Sequence, residues 1–242
     1  MTKKRRRKQQ RQLPVRIAPR EGWGIALEVG GVVQSVSVPA ESGGDVAQDD
    51  GPKPAPGGGY WGLMLPPDCP RRALLLGLGA GTVAWLLARR CPNVEMVGVE
   101  RSAEVIALAR AEFALDDLPC LRVIEADAFA WVAEHAVTEP GSYDLICLDL
   151  FEAGRLAQGA LATPFLRQVA ALLAPQGTLT ANLMVTGRTP EQLHRLRRVF
   201  TTTRELRLRG NLVIHAQVAP VAEDPMAEER EQTELAVEDP DH

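Results

Sequence analysis

From Arg72 to Val218 short apolar runs alternate with segments whose apolar residues recur at helical spacing, which predicts a mostly parallel sheet covered on both faces by helices. The predicted strands are Ala73–Leu76, Val94–Val99, Leu121–Ile124, Tyr143–Leu148 and Thr178–Met184. The first is followed by a helix over Thr82–Arg90. Ser102 caps a second helix that runs to about Ala114 and buries Ile106, Ala109 and Phe113. A third spans Ala128 to about His135. Thr163-Pro164 opens a fourth, where the missing proline N–H costs nothing, and it ends near Pro175-Gln176-Gly177. Thr189-Pro190-Glu191-Gln192 is a capping box for a fifth, which buries Leu193, Leu196 and Phe200. Arg204–Leu208 and Leu212–Val218 close the sheet at seven strands, with an antiparallel pair at one edge. Ahead of this unit, residues 23–38 hold two β-rich runs around Gly30-Gly31, a hairpin signal because both glycines accept the positive φ of a tight turn. The predicted class is α/β, Rossmann-like, with a small N-terminal β-hairpin.

The chain of 242 residues, 45% hydrophobic, suffices for one sizeable core. Its net charge of -4 hides a strong polarity: residues 1–12 carry seven Lys or Arg and no acid, and residues 222–242 carry nine acids against Arg230. Neither end shows hydrophobic periodicity, so each is expected to be a disordered, solvated tail. The Lys3–Arg11 run would also suit nucleic acid, and the acidic end an intramolecular or partner contact. Residues 41–59 are rich in Gly, Pro and Asp and predict a flexible connection. The expected division is thus a basic tail (1–12), a hairpin element (13–40), a linker (41–59), an α/β domain (60–220) and an acidic tail (221–242). Cys69, Cys91, Cys120 and Cys147 form no C-x-x-C pair and no His stands at metal-ligand spacing, so neither a disulfide framework nor a zinc site is expected. The uncharged stretch Gln168–Gly187 is broken by Pro175-Gln176-Gly177 and Asn182, so no membrane helix is expected, and no apolar block follows the basic start as in a signal peptide. A cytoplasmic protein is the expectation, and a homodimer is compatible with it.

Ligands of such sheets bind beyond the carboxyl ends of the strands. After the first strand comes Gly77-x-Gly79-x-Gly81, where glycine permits a tight turn and close backbone approach, with a helix N-terminus behind it. Glu100 ends the second strand, placed to accept from both hydroxyls of a ribose, although an ordinary strand-end acid would look the same. Asp127 follows the third strand, suited to an exocyclic adenine amine, and Ala128 leaves room for the base. A dinucleotide site expects G-x-G-x-x-G, but Thr82 stands at the final glycine position, and no P-loop G-K-[ST] follows. The pattern favours an adenosyl ligand without a pyrophosphate and without a metal.

Several segments in order resemble the spermidine synthase (polyamine aminopropyltransferase) family within the class I S-adenosylmethionine-dependent methyltransferase fold. Leu27-Glu28-Val29-Gly30-Gly31-Val32-Val33-Gln34 is similar to that family's strand ending in a glutamine, and Tyr60 stands where its Tyr-His-Glu motif begins. Leu75-Leu76 before the glycines and Tyr143-Asp144-Leu145-Ile146-Cys147-Leu148-Asp149 resemble its apolar first strand and the strand that delivers its catalytic aspartate. The resemblance implies that Gln34, Gly77, Gly79, Gly81, Glu100, Asp127 and Ala128 line a site for S-adenosylmethionine or its decarboxylated form. It implies that Asp149, with Glu152 nearby, faces the transferred group, where a carboxylate can hold and deprotonate an ammonium nucleophile. Tyr60, Trp61 and Phe151 would border a small-molecule acceptor. The chain departs from the family where Trp61-Gly62 replace its His and Glu and where Leu150-Phe151-Glu152-Ala153 replace its polar run ending in Asp-Pro. A diamine needs acids at both ends, and at least one is missing. Three functions follow: a spermidine-synthase-like transferase with a polyamine or other amine as acceptor, a methyltransferase on the same scaffold, or a non-catalytic adenosyl-binding module with nucleic-acid affinity through the basic tail.

Overall fold

A computed structural model describes residues 14–20, 24–37, 59–152 and 154–218. The expected basic tail, residues 41–58 of the linker and the acidic tail lie outside the described residues, as do Trp23 and Val38 of the hairpin segment.

The described chain runs β1 (Val15–Arg20), β2 (Gly24–Val29), β3 (Val32–Val36), a 3-10 turn (Tyr60–Met64), β4 (Arg72–Leu76), α1 (Thr82–Arg90), β5 (Glu95–Glu100), α2 (Ala103–Glu112), a short 3-10 turn (Leu115–Asp117), β6 (Leu121–Glu125), α3 (Ala128–Thr138), β7 (Tyr143–Leu148), β8 (Phe151–Glu152), β9 (Arg155–Leu156), α4 (Thr163–Leu172), β10 (Leu173–Met184), α5 (Thr189–Arg197), β11 (Phe200–Leu208) and β12 (Asn211–Val218). The central sheet has seven strands in the order β11-β12-β10-β7-β4-β5-β6. The five from β10 to β6 are parallel, and β12 is antiparallel to both neighbours.

Each central strand is apolar on both faces because helices cover both. On β4, Leu74 and Leu76 enter one core layer with Trp131, Phe165, Leu166 and Leu196 of α3, α4 and α5. Ala73 and Leu75 enter the other, with Ala84 and Leu87 of α1 and Leu63 and Met64 of the first 3-10 turn. Period-two alternation thus supplies two cores from one strand. Among the described residues no helix is long and apolar enough to cross a membrane.

The hairpin at Gly30-Gly31 forms as β2 and β3, and a third strand joins it. Val15–Arg20 pairs antiparallel with β2, with Pro19 on this edge strand, where its missing N–H is harmless. The strand expected from Thr178 begins at Leu173, and its pairing with β7 shifts between Leu173 and Thr178, where Gln176 takes φ +65. The expectation of no disulfide is corrected. Cys69 and Cys91 are bonded, with Cα atoms 5.4 Å apart. The crossover explains the pairing, since α1 runs back along β4 and brings Cys91, the residue after its last turn, beside the segment that enters β4.

Candidate active site

The glycine turn after β4 is the centre of the site. Gly77 has φ +88, and a Cβ there would lie 2.3 Å from the carbonyl oxygen of Asp149. Only glycine lets the ends of β4 and β7 approach this closely. At Gly81, φ is +85, and a Cβ would collide with Leu115 at 2.5 Å.

The turn's backbone donors are held from three sides. Gly77 N–H and Leu78 N–H both donate to the Val99 carbonyl at 3.0 and 3.1 Å. Gly79 N–H donates to Glu100 Oε2 at 3.1 Å, and the other carboxylate oxygen accepts from Ser102 N–H at 3.0 Å. Glu100 therefore ties the turn to the start of α2. Ala80 N–H donates to Ser35 Oγ at 2.8 Å, while the Thr82 hydroxyl donates to Val36 O and accepts from Val36 N–H. These bonds seat β3 along the turn, and Gln34 comes with it: its carbonyl oxygen would be 3.8 Å from a Cβ at Gly79. Sequence reasoning missed Ser35 and Thr82 in this role, because a hydroxyl that braces a neighbouring backbone leaves no spacing signal.

Asp127 stands one strand further along, after β6. Ala126 N–H donates to the Glu100 carbonyl at 3.0 Å, which places Asp127 near the same strand ends. Its Oδ1 caps α3, accepting from Phe129 N–H and Ala130 N–H at 3.0 Å each. Oδ2 has no partner among the described residues. Ala128 is buried behind it.

Asp149 follows β7 and is the best-held acid of the site. Tyr60 O–H donates to its Oδ2 at 2.7 Å and Asn182 Nδ2 donates to its Oδ1 at 2.9 Å. Burial pushes the Asp149 carboxyl up to about 6, against the pull of the bonds from Asn182 and Tyr60. Burial also raises the Tyr60 hydroxyl well above its ordinary value, helped by the Asp149 charge and hydrogen bond, so it stays protonated and donates. Asn182 is 2% exposed, and its Oδ1 is buried without a hydrogen-bond partner among the described residues. Sequence reasoning missed it too: an amide in the apolar run Thr178–Met184 reads as an interruption, whereas two positions from Thr180 it marks a polar row on one sheet face.

That face carries a second polar row beneath the first. Thr180 pairs in register with Cys147 on β7 and His215 on β12, as Asn182 pairs with Val213. The Thr180 hydroxyl meets Cys147 Sγ at 3.3 Å, and burial pushes the Cys147 thiol up to about 12. His215 Nε2 is 2.7 Å from the Leu63 carbonyl, so this nitrogen carries the proton and donates, and burial lowers the ring's basicity. The 3-10 turn that carries Tyr60 is thereby pinned to the sheet.

Trp61 is 3% exposed, packed with Ala26 and Val36 and stacked on Tyr60 at 4.8 Å, so its ring stands behind Tyr60. Phe151 is half-buried on β8, opposite Leu156 of β9. Glu152 is engaged by Arg101 at 2.5 Å, at the end of β5, so its carboxylate turns to a neighbouring strand end rather than to Asp149. At the turn between β8 and β9, a Cβ on Gly154 would stand 3.1 Å from Val32, so this small hairpin reaches the N-terminal sheet.

A family model, the methyltransferase small domain, matches residues 63–216. The chain is 30% identical over 122 residues to a polyamine aminopropyltransferase of Chromobacterium violaceum, covering 50% of this chain and 45% of that protein. It is 32% identical over 140 residues to a trans-aconitate 2-methyltransferase of Methylobacterium radiotolerans, covering 57% of this chain and 47% of that protein. The chain thus spans about half the length of these relatives. In fold it resembles a probable spermidine synthase from Corynebacterium glutamicum, with a TM-score of 0.63 and 20% identity over 91% of this chain and 82% of that one. Since the methyltransferase small-domain model spans more than half of the sequence, the chain belongs to the methyltransferase small domain family.

Proposed function

We propose that this protein transfers an alkyl group from an adenosyl sulfonium, S-adenosylmethionine or its decarboxylated form, to a small amine, in the manner of an aminopropyltransferase. The observation that carries the proposal is the Asp149 carboxylate, held by Tyr60 and Asn182 on a residue whose backbone carbonyl packs against Gly77.

The residues suit such a ligand. The glycine turn packs against Asp149, Ser35 and Leu115 with no room for a side chain, Glu100 offers a carboxylate for ribose hydroxyls, and Asp127 keeps one carboxylate oxygen for an amino group. When bound, the sulfonium supplies an electrophilic carbon next to a positively charged sulfur. Asp149 sets a negative charge opposite it. An amine acceptor reaches the site mainly as an ammonium ion and is nucleophilic only after losing a proton. With its proton affinity raised to about 6, Asp149 is largely ionised near neutral pH yet basic enough to take that proton. Tyr60 and Asn182 keep the carboxylate oriented. With Trp61-Gly62 after Tyr60, the acceptor best matched to this site carries a single buried ammonium rather than two.

Methyl transfer is the second reading, favoured by the family membership and by the likeness to a trans-aconitate 2-methyltransferase. Calorimetry separates the two. Tighter binding of the decarboxylated cofactor, with amine-dependent release of methylthioadenosine, supports aminopropyl transfer. Tighter binding of intact S-adenosylmethionine assigns methyl transfer. No heat with either, or with methylthioadenosine, refutes the adenosyl site altogether.

A further inference from the structure

The face formed by α5, the turn after it and the edge strand β11 is strongly cationic. Residues 185–218 contain seven arginines against two acids, Glu191 and Glu205. Each acid is already taken, Glu191 by Arg195 at 2.7 Å and Glu205 by Arg197 at 2.6 Å. Arg188, Arg198, Arg204, Arg207 and Arg209 are exposed and make no ion pair with a described residue.

A cavity of about 530 Å³ opens on this face, lined by Arg197, Phe200, Arg204, Glu205 and the three threonines between them. The β11–β12 register shifts between Thr202 and Arg204, and the resulting bulge re-aims the edge. The buried Thr202 hydroxyl has no hydrogen-bond partner among the described residues. On its other side β11 pairs with no described strand.

The path of the chain identifies an occupant. Val218, the last residue of β12, pairs with Phe200, and Gln217 with Thr201, so the chain leaves the sheet at the rim of this cavity. Glu223 and Asp224 come five and six residues later, within a reach of roughly 17–20 Å of extended chain. They begin a segment with nine acids and one arginine. A tethered ligand needs little intrinsic affinity, because the short connection keeps its local concentration high. Arginine forks are suited to carboxylates.

We propose that the arginine face of α5 and β11 is the docking surface for the chain's own acidic segment, residues 222–242, whose first carboxylates enter the cavity beside Arg204. Docking neutralises a face that would otherwise attract any polyanion, and it does not depend on the reaction proposed for the Asp149 site.

The test uses zero-length carbodiimide coupling of carboxylates to amines in the full chain carrying Arg204→Lys and Arg207→Lys, mixed equally as light and heavy isotopic forms. The natural lysines are Lys3, Lys4, Lys8 and Lys53, so the basic N-terminal segment competes in the same tube. The expected result is that acids between 223 and 241 link mainly to positions 204 and 207, within one chain. These links should vanish in roughly molar salt, where the screening length falls to about 3 Å. Links from the acids to Lys3, Lys4 or Lys8 instead, links only between chains, or no links would overturn the proposal. Nucleic acid is the rival occupant. Replacing the nine acids by Gln and Asn should tighten binding of a labelled single-stranded oligonucleotide about tenfold, and Arg204→Gln with Arg207→Gln should abolish that gain. Equal binding with and without the acids would overturn the docking of the acidic segment.

Discussion

Replacing Asp149 by asparagine should stop the reaction and at the same time stabilise the fold. The Asp149 carboxyl moves from an ordinary 3.8 to about 6 in the folded protein because burial penalises its charge more than Tyr60 and Asn182 compensate it. A displacement of that size corresponds to about 3 kcal/mol, and partial solvent access at the site lowers the expected effect to about 1–3 kcal/mol. The sign follows from proton binding. Between the two values the folded chain holds the proton more tightly than the unfolded chain, so stability declines as pH rises through this window. The penalty is absent below about pH 4 and complete above about pH 6. Asparagine keeps the shape and carries no charge, and its amide oxygen can still accept from Asn182 Nδ2.

For a domain of this size about 2 kcal/mol is worth roughly 4–8 °C in Tm. Thermal melts of both chains across the range from about pH 4 to about pH 8 provide the measurement. The variant should melt higher at the alkaline end, the difference should shrink through about pH 6, and it should approach zero near the acid end. A variant equally or less stable at the alkaline end, or a gain of the same size at every pH, would show that a buried charge is not what Asp149 contributes.

Three further outcomes are expected. Tyr60→Phe removes a charged hydrogen bond worth about 1.5–3 kcal/mol, so the Asp149 carboxyl should titrate about 1–2 pH units higher and the acidic limb of kcat/KM should move with it; an unmoved limb would mean that another group titrates there. Glu100→Ala should weaken adenosyl binding by about tenfold to a hundredfold in calorimetry, since it loses ligand contacts and frees Gly79 N–H, while leaving Asp149 in place; unchanged affinity would place the ribose elsewhere. The Cys69–Cys91 bond closes a 22-residue separation and should contribute about 3 kcal/mol, so thiol titration of the unfolded protein should find two free cysteines, Cys120 and Cys147, and reduction should lower the melting point; four free thiols would refute the bond.

How much was legible in the sequence depended on whether a signal is local. The run Ala73–Leu76 between a polar lead and Gly77 marks a doubly covered strand, because each of its side chains has a helix to pack on. Ser102 stands where a helix cap stands and does cap α2, whereas Asp127, read as a ligand-facing acid, also caps α3. The pairings were not legible. Asp149 and Asn182 are 33 residues apart, and only the register of β10 against β7 brings them together. Cys69 and Cys91 lie at no motif spacing, and their meeting depends on α1 returning along β4. β1 escapes a reading by pattern because a six-residue edge strand containing Pro19 carries a weak one.

The same distinction explains why the acid at the centre of the site needs the last strand of the fold. Tyr60 comes from a 3-10 turn ahead of β4, and little in its own sequence would fix its hydroxyl on Asp149. Its turn is fixed instead by the Leu63 carbonyl, which accepts from His215 on β12. His215 in turn stands in register with Thr180 and Cys147, one row below Asn182 and Asp149. The antiparallel β12 therefore lies outside the strand ends that line the glycine turn but still sets where Tyr60 rests. Loss of the His215 bond would free the turn without touching Asp149, Asn182 or the glycines. Asp149 would then keep one hydrogen bond of two, and its proton affinity would rise for the reason that Tyr60→Phe raises it.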